Sequence, residues 1–354
     1  MKRLSSIYKN FLYLLLIFSI SCSVPDGNEY YAVEKYPLCL IQSDGTNYSE
    51  LSEDGYGGAT LWFILDDTKI LIIWADDIYH FDINSQELKF ILNVPFTALR
   101  SPTLSPDRSS VIFVASDQNG EDLYKVDING SNLKNLTNSP GTYERFPSFS
   151  EDGKKIIFTT FSDFADQTIS YYDLEKESVF QIISHPDDHR VINWIIYFWY
   201  PVFGDNDNII YCIKPTENVS VSGDSLFYYD SSYKIRKLLD SQASFTGRLF
   251  MSANRERLIY LKHGEPCALA AIDSHGGNSN ILDNYVFNDC EYEISQSGDK
   301  VLYWYSNTEN YEKQLFIVNS DGSNKINLAS GKNASFSLDG EKIVFTGYKK
   351  IVYD

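Results

Sequence analysis

The repeat that decides the fold is clearest in the stretch Phe146-Pro-Ser-Phe-Ser-Glu-Asp-Gly-Lys-Lys-Ile-Ile-Phe158. A short apolar run, a tight turn and a second apolar run follow one another, which is the pattern of a β-hairpin. The Asp-Gly pair supplies the positive φ that a tight hairpin turn requires. The pattern occurs seven times in all, with clear copies also at residues 102–114 and 335–345 and weaker copies at residues 61–70, 201–209, 249–258 and 292–301.

The turns of these hairpins lie 40 to 55 residues apart, which is close to the roughly 40–45 residues of a four-stranded propeller blade. Near the start of the chain, Leu38-Cys-Leu-Ile-Gln-Ser-Asp-Gly45 looks like the third strand of a blade whose first half stands at residues 335–346. We therefore predict an all-β propeller of four-stranded blades, seven in number, with a ring closed by an N-terminal strand. A six-bladed ring is the alternative, and Lys350-Ile-Val-Tyr353 is an alternative third strand for the last blade.

The repeats resemble TolB-type and WD-like propeller repeats, whose blades carry a Pro-x-Phe-Ser-Pro-Asp-Gly-x-x-Ile-x-Phe pattern. Residues 146–158 match this pattern apart from Glu151, where the family usually has Pro. The resemblance covers most of residues 37–354 and implies that this range is a single propeller domain. It implies the fold and not the particular role of TolB.

Residues 1–21 resemble a bacterial lipoprotein signal peptide. Lys2 and Arg3 form a basic start, Phe11-Leu-Tyr-Leu-Leu-Leu-Ile-Phe18 forms an apolar core, and Cys22 stands at the expected cleavage point. The apolar run is shorter than the ~20 residues of a membrane span, and a plain signal peptide with an incidental cysteine is the alternative. The resemblance implies that Cys22 is acylated, with palmitate among the expected chains, and that residues 22–36 form a short tether. Ser23 after the cysteine resembles an outer-membrane address in the bacterial cell envelope.

Composition and charge exclude one class of partner. The formal net charge is −18 and aromatic residues make up 15% of the chain. Such an acidic chain is not expected to bind nucleic acid, because that needs clustered Lys and Arg. The aromatic content favours pleated strands.

Cysteine and histidine positions give no metal or cofactor signature, and we predict none. Cys267 and Cys290 are candidates for a disulfide across neighbouring blades in an oxidising envelope, with buried free thiols as the alternative. The cluster His185-Pro-Asp-Asp-His189 brings metal-binding residue types together. Pro186 argues against a helix that would align them, so a solvated loop is expected.

No catalytic residues are predicted, because the chain has no Gly-x-Ser-x-Gly elbow and its adjacent carboxylates would point to opposite faces of a strand. The longest interval between repeats holds the apolar run Val191-Ile-Asn-Trp-Ile-Ile-Tyr-Phe-Trp-Tyr200. One interpretation is an extended buried strand. The other is a projecting patch of Trp194, Tyr197 and Trp199 that binds a partner protein or a sugar ring.

Three classes of function follow from these features. The leading one is a lipid-anchored envelope propeller that acts as a non-catalytic protein-binding or scaffold module, with an envelope protein as its partner. The second is a surface lipoprotein that binds a carbohydrate or another small ligand. The third is a lyase or hydrolase that works in the propeller funnel and needs acids, a histidine or a metal at the central channel.

Overall fold

The structure is a computed structural model that describes residues 20–23, 29–52, 59–66, 68–74, 77–93, 99–116, 120–162, 167–184, 196–215, 224–244, 247–287, 289–306 and 312–353. Regular structure in these residues is β-strand, apart from a 3₁₀ helix at Asp205–Asp207. No helix in this part of the chain has the length and apolar character that a membrane crossing needs.

Most strands belong to four-stranded antiparallel units, which we number 1 to 7 from the first hairpin onward. Four strands precede that hairpin: β1 (Ile20–Ser23), β2 (Glu29–Lys35), β3 (Leu38–Gln42) and β4 (Ser49–Glu50). Unit 1 contains β5 (Ala59–Asp66), β6 (Lys69–Trp74), β7 (Asp77–Asp82) and β8 (Leu88–Asn93). Unit 2 contains β9 (Leu99–Leu104), β10 (Ser110–Ser116), β11 (Glu121–Asp127) and β12 (Lys134–Asn135). Unit 3 contains β13 (Thr142–Phe149), β14 (Lys155–Ser162), β15 (Gln167–Asp173) and β16 (Ser178–Ser184).

The later units repeat this order. Unit 4 contains β17 (Ile196–Phe203), β18 (Ile209–Pro215), β19 (Asp224–Asp230) and β20 (Ile235–Ala243). Unit 5 contains β21 (Phe250–Met251), β22 (Arg257–Lys262), β23 (Cys267–Asp273) and β24 (Ser279–Val286). Unit 6 contains β25 (Glu291–Ile294), β26 (Lys300–Ser306), β27 (Lys313–Asn319) and the first half of β28 (Ile326–Phe336). Unit 7 contains the second half of β28, then β29 (Lys342–Gly347), β3 and β4.

The third strand of unit 7 is β3, as the sequence predicts. Cys39 of β3 stands opposite Phe345 of β29 in an antiparallel pair. The alternative third strand is β30 (Lys349–Tyr353), and it pairs with β2 instead of with β29.

The structure differs from the predicted tether over residues 22–36. Glu29–Lys35 is strand β2, which lies between β1 and β30 in a three-stranded sheet. Tyr31 and Val33 are residue types that favour strands, and the edge of β30 offers them main-chain hydrogen bonds. This part of the predicted tether is therefore ordered as a strand.

The second strand of each unit explains why the apolar runs are continuous. In β10, residues Ser110–Ala115 are all buried, and the four central residues of β6, Ile70–Ile73, are buried as well. A strand that is covered on both faces has no polar side to alternate with its apolar side. The outer strand of unit 1, β8, is by contrast largely exposed.

Buried apolar clusters join each unit to the next. In the described residues seven such clusters occur, and six of them lie between consecutive units. The seventh packs Leu38 and Val344 of unit 7 against Ile70, Ile72 and Phe81 of unit 1. The last unit is thus in contact with the first.

Candidate binding cavity

A cavity of about 680 Å³ opens among the first strands of the units. Its wall comes from the first strands of units 2 to 7 and from the turns that follow them. These strands lie side by side, since β13 packs against β9 and β17, and β21 packs against β17 and β25. The volume falls within the ~300–1,000 Å³ of typical small-molecule sites.

β-Bulges place side chains along this wall. In units 2, 3, 4 and 7, two residues of the first strand oppose one residue of the second, and the first of the two has positive φ. These residues are Ser101 (φ 48°), Phe146 (φ 56°), Tyr200 (φ 50°) and Asn333 (φ 53°), and all four line the cavity. A bulge of this kind re-aims a side chain next to a functional site.

Two aromatic rings meet at the bulges of units 3 and 4. The ring centroids of Phe146 and Tyr200 are 4.3 Å apart with an interplanar angle of 57°. Trp199 is partly buried and packs behind them, with its centroid 5.0 Å from that of Phe146 and 5.9 Å from that of Tyr200. The left-handed backbone of Phe146 and Tyr200 costs of order 1–3 kcal/mol for each residue, so the surrounding structure must hold it in place.

The turn after the first strand carries a second group of wall residues. In five units a Ser carbonyl accepts a hydrogen bond from the N–H three residues later, at 2.8 to 3.0 Å. The residue that donates has positive φ and is Gly153, Gly298 or Gly340 in units 3, 6 and 7. In units 2 and 5 the same position holds Arg108 and Arg255, both with φ 57°.

Arg255 is 7% exposed and ties three units together. Its Nη1 donates to the Phe203 carbonyl at 3.1 Å and its Nη2 donates to the Phe149 carbonyl at 3.2 Å. These carbonyls end the first strands of units 4 and 3. The Nε atom is buried and has no hydrogen-bond partner among the described residues. Burial lowers the pKa of the Arg255 guanidinium, which stays protonated at neutral pH.

Arg108 lies near Glu293 and Asp339. Burial lowers the pKa of its guanidinium, and the charges of these two carboxylates oppose that shift. Glu293, on β25, accepts hydrogen bonds from Ser335 Oγ at 3.2 Å and from the Phe336 N–H at 3.3 Å. Burial raises the pKa of Glu293 to about 7, although these hydrogen bonds and the charge of Arg108 oppose the shift.

Arg248 precedes β21 and lies beside Tyr200, Glu291 and Tyr292. Tyr292 is buried, and its hydroxyl donates to the main-chain carbonyl of Arg248. A Cβ on the neighbouring Gly247 would lie 2.5 Å from this hydroxyl oxygen, so the approach requires glycine. Burial lowers the pKa of the Arg248 guanidinium. The nearby Tyr200 and Glu291 partly offset this shift.

Three guanidinium groups and two carboxyl groups line the cavity in the described residues. Glu291 forms an ion pair with Lys313, with Oε1 to Nζ at 2.9 Å, and Lys313 also lies 3.7 Å from Asp289 Oδ2. Glu293 is then the remaining carboxyl group, and at pH 7 it is only partly ionised. The cavity is therefore positively charged within a chain whose net charge is −18.

Among the described residues that the sequence predicts as sites, only Cys290 lines the cavity. Cys22 is in β1, where its main chain pairs with Tyr30, and its acylation stays a prediction. The predicted signal peptide lies outside the described residues apart from Ile20 and Ser21. Cys267 and Cys290 are both buried in one core cluster, and a disulfide between them stays a prediction.

The predicted aromatic patch is only partly described. Trp194 lies outside the described residues, as does the cluster at residues 185–189. Tyr197 is placed in β17 by its main chain, and Trp199 packs behind the cavity wall. From the run at residues 191–200, Tyr200 is the residue that lines the cavity. The patch itself stays a prediction.

Sequence reasoning missed Arg108, Arg248, Arg255 and Glu293. Arg108 and Arg255 carry a visible signal, because each stands where other repeats have Gly. Phe146 and Tyr200 also carry one, because each precedes the Pro of its repeat. Arg248 and Glu293 have no such signal.

Comparison with known proteins identifies the fold. No protein-family model matches the sequence, and no curated protein sequence matches it. Solved structures do match. TolB from Acinetobacter baumannii is 17% identical, with a TM-score of 0.51, over 90% of this chain and 66% of that chain. The chain thus spans about two thirds of that protein.

Two further structures are similar over nearly their whole length. A TolB protein from Agrobacterium tumefaciens is 11% identical, with a TM-score of 0.55, over 90% of this chain and 99% of that chain. An oligogalacturonate lyase from Vibrio parahaemolyticus is 12% identical, with a TM-score of 0.63, over 89% of this chain and 97% of that chain. At this identity the likeness shows the fold alone. The chain has a TolB-like propeller fold, which confirms the resemblance of its repeats.

Proposed function

We propose that units 1 to 7 are the blades of one propeller ring, which β3 closes against β29. The cluster of Leu38 and Val344 with Ile70 supports this arrangement, because it joins the last unit to the first. The contact of β28 with β5 supports it as well. In such a ring the cavity lies on the axis, where the first strands of the blades meet.

We propose further that the protein is a non-catalytic binding module that holds its ligand in this cavity. The observation that carries this proposal is the set of left-handed bulges that turn Phe146, Tyr200 and Asn333 into the cavity wall. Strained backbone of this kind clusters at ligand sites. Paired aromatic rings suit the flat face of a small organic ligand or a sugar, so the ligand-binding alternative is favoured over a scaffold that uses an outer surface.

Replacing Tyr200 with Ser tests the cavity as the binding site. Unit 2 has Ser101 at the equivalent bulge with φ 48°, so serine fits this backbone. We expect at least one compound to raise the melting temperature of the wild-type protein in a thermal-shift screen. The screen covers glycans and small organic molecules, oligogalacturonate included. The variant should bind that compound about tenfold more weakly, because one aromatic contact is worth about 0.5–1.5 kcal/mol.

The matched control is Tyr233→Ser, since Tyr233 is 76% exposed in the turn between β19 and β20. Equal binding by the wild type and both variants would place the ligand outside the cavity. If the wild-type protein captures an envelope protein and the Tyr200→Ser variant captures it equally well, the scaffold alternative is favoured. Cleavage of oligogalacturonate would favour the lyase alternative, for which Glu293 is the neutral-pH base.

We also propose that the protein is anchored in the bacterial cell envelope, at the outer membrane, through acylation of Cys22. The lipoprotein-like pattern of residues 1–22 supports this proposal. Acyl chains at one end would hold the propeller near a membrane surface, because two or more chains anchor a protein stably. Its ligand would then be an envelope component or a molecule that passes through the envelope.

Replacing Cys22 with Ala is expected to move the protein from the membrane fraction to the soluble fraction. The variant should also lose incorporation of a clickable palmitate analogue in cells. Cys39→Ala is the control, because Cys39 is a buried core thiol and should leave labelling unchanged. Equal labelling of the Cys22 variant and the wild type would contradict acylation at this residue.

A further inference from the structure

We propose that the cavity selects a small organic anion with two separate carboxylate groups, which the guanidinium groups of Arg108 and Arg248 bind. This inference rests on the proposed function of the cavity as a ligand site. It goes beyond that function because it names the ligand chemistry and the two residues that recognise it.

The first ground is the position of Arg108. Its turn has the same Ser carbonyl to N–H hydrogen bond as the turns that contain Gly153, Gly298 and Gly340. A residue with a Cβ loses about 1–2 kcal/mol in left-handed backbone compared with glycine. The turn itself gains nothing from arginine, and the side chain of Arg108 lines the cavity.

The second ground is that two of the three guanidinium groups are available. The side chains of Arg108 and Arg248 form no hydrogen bond or ion pair of 4 Å or less with any residue in the described part of the chain, although carboxylates lie nearby. Arg255 is committed to two main-chain carbonyls. Its buried Nε atom still lacks a partner among the described residues, which leaves one donor unsatisfied at the wall.

The third ground is the charge around the cavity. Glu291 pairs with Lys313 and lies beside Arg248, and Glu293 lies near Arg108, so two carboxyl groups face three guanidinium groups in the wall. A cavity wall with more guanidinium than carboxyl groups attracts a small anion, even in a chain of net charge −18. A long polyanion would meet repulsion from the rest of the acidic surface, so a short ligand is favoured.

The two arginines belong to different units, which favours two carboxylates over a single phosphate. Arg108 belongs to unit 2 and Arg248 to unit 5, so they reach the cavity from different walls. A planar guanidinium group matches one carboxylate with two parallel hydrogen bonds. The rings of Phe146 and Tyr200 offer an apolar face to the body of the ligand.

Titration calorimetry of the full chain with defined probes tests this proposal. The probes are succinate, citrate and digalacturonate, with acetate, succinamide and inorganic phosphate for comparison. We expect a probe with two or more carboxylates to bind best and to bind more weakly as salt is added. Arg108→Gly and Arg248→Gln should each weaken binding about tenfold or more, because a charged hydrogen bond is lost. Arg236→Gln is the control, since Arg236 is exposed on β20.

The pH dependence of dicarboxylate binding gives a second test, because a purely structural role of Arg108 would not change it. Glu293 faces Arg108 from β25, with Ser335 and Phe336 from β28 on its other side and Asp339 near the same guanidinium. Since burial raises the pKa of Glu293 to about 7, lowering the pH from 8 to 6 protonates it and removes its negative charge from the surroundings of Arg108. Dicarboxylate binding should tighten over this range, and Glu293→Gln should remove most of the change.

Three outcomes would overturn the proposal. They are equal binding of succinate and succinamide, tighter binding of inorganic phosphate than of every dicarboxylate, and unchanged affinity in both arginine variants. A neutral ligand that binds the wild type but not the Tyr200→Ser variant would overturn the proposal of a dicarboxylate ligand. It would leave the cavity as the binding site. A dicarboxylate that binds but is unaffected by Tyr200→Ser, Arg108→Gly and Arg248→Gln would overturn both.

Discussion

The Arg255→Gly variant is expected to lose about 3 kcal/mol of unfolding free energy, because two buried hydrogen bonds to a charged group disappear. The carbonyls of Phe149 and Phe203 would be left without these donors at 3.2 and 3.1 Å. The two lost hydrogen bonds outweigh the gain of about 1 kcal/mol from placing glycine at φ 57°, so the loss of about 3 kcal/mol is a net value. Urea unfolding followed by tryptophan fluorescence measures the difference.

Arg108→Gly is the matched control because it makes the same change at the same repeat position and the same φ. Arg108 has no hydrogen bond from its side chain to the described residues. We therefore expect its unfolding free energy to stay unchanged or to rise by up to about 1 kcal/mol. Equal destabilisation of both variants would show that Arg108 supports the fold, and it would remove the first ground for an anion site.

The hairpin repeat and its period were predictable because they depend on local chemistry. Asp-Gly turns and buried second strands such as β10 are visible in the residues themselves. The placement of Leu38–Gln42 beside β29 was also predictable, since a third strand with no hairpin before it needs a partner. The strand at Glu29–Lys35 was missed, because its pairing with β30 depends on where the two ends of the chain meet.

The cavity was much less predictable. The sequence showed no catalytic motif, and its aromatic run at residues 191–200 does not by itself identify the wall. Arg108 and Arg255 stand out only when the repeats are aligned on their turns, and only the fold shows that these turns face one cavity. Glu293 is an ordinary strand residue in the sequence, and its pKa near 7 depends on burial that long-range packing creates.

Leu38→Ala is expected to destabilise the whole propeller by about 2–5 kcal/mol, the usual range for a buried leucine. Leu38 is fully buried in β3, and it packs against Ile70 and Phe81 of unit 1. In a closed ring this contact joins the last blade to the first, so its loss should lower the midpoint of a single unfolding transition. Urea unfolding and amide hydrogen exchange of units 1 and 7 measure the effect.

Leu88→Ala is the control, because Leu88 is 37% exposed on the outer strand β8 and should cost less than about 1 kcal/mol. An unchanged global midpoint in the Leu38 variant, with faster exchange confined to β3, would mean that β3 is a detachable edge strand. The other six clusters would then hold the units together in a row, and closure by the N-terminal strand would be wrong. A shared loss of protection in units 1 and 7 requires the closed ring, because these units are neighbours only if the last blade meets the first.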